Sequence, residues 1–277
     1  MSNKERVKEF FSRCLSSYLN NRIPLASAGL AYYFTMTFFP VVICLYTLLG
    51  NNYDLAMRAI EYVSDFLPGE TIKYLTTFMG YVFENYSVLM MLFAFSVIII
   101  TASAAFRSLE NTIGEMQGGR RYDGYAFFLV SIVISLLAIV LLYVAIVFLF
   151  MTEDILNAIN VKIPQVDLQS SWRPLRFLLT SSVTFLLLIL IYEFCKRSSD
   201  RYSTFYGALT ATLILLGISY IFSVFINISV KYPLVYSSLS AIILLMFWLY
   251  CSSIAIYTGA IVNVTLRDMK MEKAESE

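Results

Sequence analysis

Histidine is absent from the 277 residues, so chemistry that needs an imidazole base or ligand is closed to this chain. Charge is scarce: 14% of residues are Asp, Glu, Lys or Arg, against about 25% in a soluble domain. The 20 Lys+Arg and 19 Asp+Glu leave a net charge of +1, which excludes a global basic field and makes nucleic acid an unexpected partner. Cys14, Cys44, Cys195 and Cys251 are scattered and fit small buried apolar side chains, not a disulfide or zinc site. No Gly-rich phosphate loop with a following Lys-Ser/Thr occurs, which removes nucleotide hydrolysis by that route. Ribonuclease activity would need positioned acids, bases or metal ligands within reach of RNA, and no cytoplasmic carboxylate cluster offers them. The expectation is therefore a non-enzyme with no catalytic residues, no cofactor and no metal.

What the chain has instead is apolar length. Hydrophobic residues make up 59% of it and fall in blocks of about 20 or more, each long enough for a helix to cross a bilayer. Runs such as IVISLLAIVLLY are continuous, not alternating, which favours helices over an outer-membrane barrel. An all-α polytopic membrane protein follows, with six spans at roughly 23–49, 87–107, 125–151, 174–195, 203–229 and 235–265. An even number of spans puts both termini on one side. Fourteen Lys and Arg lie in the termini and the second and fourth loops, and six in the alternate loops, so the termini are expected to be cytoplasmic.

Three further segments frame the 23–265 transmembrane domain. Residues 1–22 carry Val7, Phe10, Phe11, Cys14, Leu15, Tyr18 and Leu19 at helical spacing opposite basic and hydroxyl residues. That pattern fits a cytoplasmic amphipathic helix lying on the membrane surface, and equally one packed on the bundle. The external loop 50–86 reads as two amphipathic helices broken at Pro68-Gly69. Asp54, Glu61, Asp65, Glu70 and Glu84 outnumber its two cations; without tight carboxylate spacing they read as a solvated polar face, not a metal site. Residues 266–277 read as a charged cytoplasmic tail.

Polar residues inside the spans are the candidate substrate pathway. Tyr32 and Thr35 align on span 1; Ser96, Ser103, Arg107 and Glu110 on span 2; Thr212, Ser219, Ser223 and Asn227 on span 5; and Tyr250, Ser253 and Tyr257 on span 6. Buried hydroxyls need partners, so these faces either line a wet cavity or join helices. Convergence on one cavity is the expectation, because Tyr32, Tyr250 and Tyr257 are bulky for a packing seam, while span 3 faces lipid. Arg107 and Glu110 are expected to pair at i, i+3 near the cytoplasmic end of span 2, and Glu193 is expected to pair with Lys196 and Arg197. No charged residue sits at the centre of a span, which leaves a side-chain proton relay without a carrier.

Three stretches, LASAGLAYYFTMTFFPVVICL (25–45), TASAAFRSLENTIGE (101–115) and YPLVYSSLSAIILLMFWLYCSSIAIYTGAIVN (232–263), resemble the YihY/BrkB family of bacterial inner-membrane proteins. The resemblance is strongest at Ala31-Tyr32-Tyr33, Pro40, Gly207-Ala208, Trp248 and Gly259-Ala260. It departs at Ile261, where the family often has an acid, and at Lys196-Arg197-Ser198, where a proline is frequent. The resemblance implies a six-helix fold in the bacterial cytoplasmic membrane. It implies no one activity, since members carry the labels ribonuclease BN, virulence or serum-resistance factor, and transporter. Two functions stay open: a transporter or binder of an amphipathic or anionic lipid-like substrate within the membrane lipids, and a non-transporting envelope scaffold with the acidic hairpin as docking surface.

Overall fold

The computed structural model describes residues 3–48, 52–63, 69–119, 124–162, 168–196, 201–229 and 238–276, and every regular element among them is a helix. The nine helices are α1 (Asn3–Asn20), α2 (Ile23–Leu48), α3 (Tyr53–Val63), α4 (Gly69–Asn85), α5 (Val88–Met116), α6 (Gly124–Lys162), α7 (Leu168–Cys195), α8 (Arg201–Ser229) and α9 (Ser238–Ser276). Six of them, α2 and α5 to α9, contain stretches long and apolar enough to cross a membrane.

Local chemistry sets the ends. Pro24 occupies the first turn of α2, where its missing N–H leaves no bond unmade. Asn52 accepts from Leu55 N at 3.1 Å ahead of α3, and Ser87 caps α5 by accepting from Met90 N at 3.1 Å. Nothing between Arg107 and Met116 breaks a helix, so α5 runs on to Met116 and stops at Gly118 and Gly119, both at positive φ. The span expected to end at 107 is therefore longer, and Arg107 sits inside it. The 266–276 segment lacks Gly and Pro and is helical, continuing α9 without a break.

The spanning helices close a ring: α2 packs on α5, α5 on α6, α6 on α7, α7 on α8, α8 on α9, and α9 on α2. Arg267 of α9 donates to Gln117 beyond α5 at 3.4 Å, and Thr204 of α8 to Glu193 of α7 at 3.5 Å, so these helix ends meet on one side. We call it the terminal end. There α1 packs on α9, with Arg13 bonded to both Glu272 oxygens at 2.7 Å and Cys14 Sγ donating to Thr265 at 3.6 Å. Phe10, Cys14 and Tyr18 are half-buried on this helix, yet Val7, Phe11, Leu15 and Leu19 stay exposed.

Two large apolar cores fill the ring, and a smaller cluster of Ala31, Leu245 and Leu249 joins α2 to α9. The terminal-end core draws on all six spanning helices, from Ile23 and Leu30 through Leu109, Ile134, Leu188 and Ala208 to Tyr257. The core of the opposite end comes from α2, α5 and the α3–α4 hairpin, through Val42, Tyr46, Ile60, Leu75, Met79 and Ile98. The hairpin is embedded: Phe78 of α4 stacks edge-on against Phe39 of α2 at 5.2 Å, nine residues before that helix ends.

Candidate functional site

Buried polar side chains are unevenly placed. Ser27, Glu110, Thr112, Thr204 and Thr265 are buried toward the terminal end, and Thr35, Ser103, Ser131, Ser135, Thr212, Ser219, Ser252 and Ser253 toward the middle of the bundle. Among the described residues the opposite end buries no such side chain; its core is aliphatic and aromatic.

The centre of this polar layer is Arg107. Its Nη1 donates to Ser103 Oγ one turn back on α5 and to Ser131 Oγ on α6, both at 3.1 Å, and its guanidinium carbon lies 5.0 Å from the Phe128 ring centroid. The expected i, i+3 pair with Glu110 is not formed. Glu110 is fully buried on an inward face, whereas Arg107 turns across the α5–α6 seam, because α5 does not end at 107 and gives the side chain no nearby water to snorkel toward. Ser131 and Phe128 were not among the expected pathway residues; the available signal was the Ser131–Ser135 pair, one helical turn apart in an otherwise apolar run.

The expected pathway residues divide into three groups. Thr35, Ser103, Glu110, Thr212, Ser219, Ser253 and Tyr257 are buried; Arg107 and Tyr250 are half-buried; Tyr32, Ser96 and Ser223 are exposed. The side chain of Asn227 lies outside the described residues. Tyr257 points to Ser108 and Thr112 of α5 without reaching hydrogen-bond geometry, so α9 and α5 meet within the layer. Ser96 and Ser223 are not brought into it: they stand among exposed Leu92, Phe95, Ile221 and Val224. The need for partners is met locally. Thr35 donates to Ala31 O, Thr212 to Ala208 O and Ser253 to Leu249 O, each at 2.8 Å, and Ser96 to Leu92 O at 2.9 Å.

Beside the polar layer, α7, α8 and α9 lock together. A Cβ built on Gly207 would overlap the Gly259 carbonyl oxygen and the Asn263 side chain, so the two backbones touch as only glycine allows. Asn263 Oδ1 accepts from Gly207 N at 2.8 Å, and Tyr192 OH donates to Ile256 O at 2.5 Å. Glu193 pairs with Lys196 at 2.7 Å as expected; Arg197 lies outside the described residues. The four cysteines are free thiols, Cys44 and Cys195 buried and Cys14 and Cys251 half-buried, in keeping with their apolar reading. The expected hairpin helices are α3 and α4, on which Asp54, Glu61 and Glu84 are exposed.

Comparison with known proteins agrees with this architecture. A ribonuclease-like protein of Bacillus subtilis (strain 168), YfkH, is 23% identical over 271 residues, covering 95% of this chain and 96% of that protein. No solved structure matches. The family described as Virulence factor BrkB matches residues 14–277, and with six apolar helices closing one bundle the chain belongs to that family of multi-pass membrane proteins.

Proposed function

We propose that this protein binds an amphipathic, lipid-like molecule and moves it within or across the bacterial cytoplasmic membrane. The observation that carries the proposal is the division of the bundle among the described residues: buried polar groups, beside a half-buried guanidinium bonded to two serines, lie from the terminal end to the middle, and the core of the opposite end is aliphatic and aromatic. An amphiphile has the same division. Charged side chains within spans are costly and mark substrate paths more often than packing.

The relative named ribonuclease-like does not redirect this reading. The polar layer holds no histidine, and no group of three metal-binding residues occurs among the described residues. The charge asymmetry of the loops supports a cytoplasmic terminal end. In a chain lacking its native cysteines, Glu115→Cys should react only with a permeant thiol reagent in intact cells and Glu84→Cys with an impermeant one.

The functional test is flux. Proteoliposomes carrying fluorescent phosphatidylglycerol in both leaflets should lose the inner-leaflet signal to external dithionite faster than empty vesicles. Equal rates would remove the movement. A scaffold reading has one observation in its favour: Thr35, Thr212 and Ser253 are satisfied by their own helices, as packing groups are. Equal flux with retained partner proteins would support it.

A further inference from the structure

We infer that Arg107, Ser131 and Phe128 form a binding site for a phosphate oxyanion, that of an anionic lipid headgroup, in the groove between α5 and α6. The inference deepens the proposed function and rests on its premise that the bundle handles amphiphiles.

The guanidinium is held but not used up. Both of its hydrogen bonds leave from Nη1, to Ser103 and Ser131, and the Phe128 ring covers one side of the plane. The Nε–Nη2 edge makes no hydrogen bond among the described residues. That edge is the planar fork that takes two oxygens of a phosphate or carboxylate side by side. A charge in a spanning helix calls for a counter-charge. Glu110, one turn along α5, is fully buried and does not supply it.

The surroundings favour a lipid. Phe128 and Ser131 lie four and seven residues into α6, about 6 and 10 Å below its start. Arg107 is half-buried, and Phe128 is 49% exposed at the rim. From there Ile100, Phe93 and Leu89, seven, fourteen and eighteen residues before Arg107 on the same face of α5, form an exposed apolar track away from the terminal end. A headgroup phosphate on Arg107 would leave its acyl chains on that track. Free phosphate would find the same guanidinium donors but forfeit the apolar contact.

The test uses the full-length protein in mild detergent, with bound lipid counted by native mass spectrometry after incubation with phosphatidylglycerol, phosphatidylcholine or inorganic phosphate. The wild type should prefer phosphatidylglycerol over phosphatidylcholine by about fivefold or more, because the first headgroup is net anionic whereas the choline ammonium of the second offsets its own phosphate. Millimolar inorganic phosphate should leave that preference intact. Arg107→Ala should abolish the preference, Arg107→Lys should keep part of it, and Phe128→Ala should weaken it from an exposed position whose loss does not threaten folding. No preference in the wild type, or an unchanged preference in both Arg107→Lys and Phe128→Ala, would overturn the site; displacement by inorganic phosphate would overturn the lipid as its source. Preference without flux would uphold the site and defeat the transport reading, whereas flux with a preference insensitive to these variants would do the reverse.

Discussion

The two ends of this bundle solve burial differently. At the terminal end, backbones meet at Gly207 and Gly259, Tyr192 and Asn263 bond across helices, and hydroxyls and charges are buried. At the opposite end the spanning helices stand farther into the apolar regime, and the α3–α4 hairpin supplies Ile60, Leu75, Met79 and Val82 to complete the core. One end is specified by small residues and directed bonds, which tolerate almost no change of shape. The other is filled by flexible apolar side chains, which tolerate more.

The largest effect should come at the glycine crossing. Gly207→Ala meets backbone and a held Asn263, so a loss of about 3 kcal/mol or more is expected, read as a fall in thermal stability in detergent. Gly217→Ala on the same helix meets no atom within 4 Å and should be neutral or gain about 0.5 kcal/mol from helix propensity. Equal losses at both would break the contrast. At the opposite end Met79→Ala, a buried side chain in the hairpin core, should cost about 2 kcal/mol, with hydrogen exchange of α3 and α4 quickening before that of α8 and α9. Simultaneous exchange throughout would show one cooperative core instead of two.

Smaller effects belong to α1. Its Phe10, Cys14 and Tyr18 side turns to α9, while Val7, Phe11, Leu15 and Leu19 remain exposed beside Lys8 and lead toward exposed Leu25 of α2. Phe11→Glu with Leu15→Glu should reduce quenching of an α1 fluorophore by brominated anionic lipid without disturbing α9. Unchanged quenching would detach that stripe from the bilayer. The smallest effect is acidic: Arg13 holds the Glu272 carboxyl below the ordinary carboxylate range. A depressed value means the contact stabilises at neutral pH, above the unfolded carboxylate range, and is lost as pH falls through the lowered one. Protection of the α1 amides, taken relative to their intrinsic exchange rate at each pH, should therefore fall at low pH in the wild type, and the fall should be blunted in Glu272→Gln.

The sequence disclosed what depends on length and composition. Six spans, the two hairpin helices α3 and α4 and the Glu193–Lys196 pair are local patterns, visible without knowing what lies across the fold. Arg107 was not legible in the same way. Spacing along one helix pointed to Glu110, but the partners are Ser103 one turn back and Ser131 on the next helix, the second contact set by how α5 continues past 107 and how α6 returns beside it. The hydroxyl faces were visible too, yet spacing could not tell that Thr35, Thr212 and Ser253 would bond their own carbonyls or that Ser96 and Ser223 would stand apart. For α1 both sequence readings use one stripe; the packing on α9 takes up Phe10, Cys14 and Tyr18, and Val7, Phe11, Leu15 and Leu19 stay exposed. Gly207-Ala208 and Gly259-Ala260, which carried much of the family resemblance, prove to be the packing seam, so the resemblance reports architecture more than chemistry.

The central claim, that an end-divided bundle houses an amphiphile, is tested most directly by extracting the full-length protein in mild detergent without added lipid and identifying what remains bound. The account predicts co-purified molecules with an anionic head and apolar chains, present at about one per protein and depleted in Arg107→Ala. A folded, stable protein that carries none, or only lipid in the proportions of the surrounding membrane and unaffected by Arg107→Ala, would contradict it.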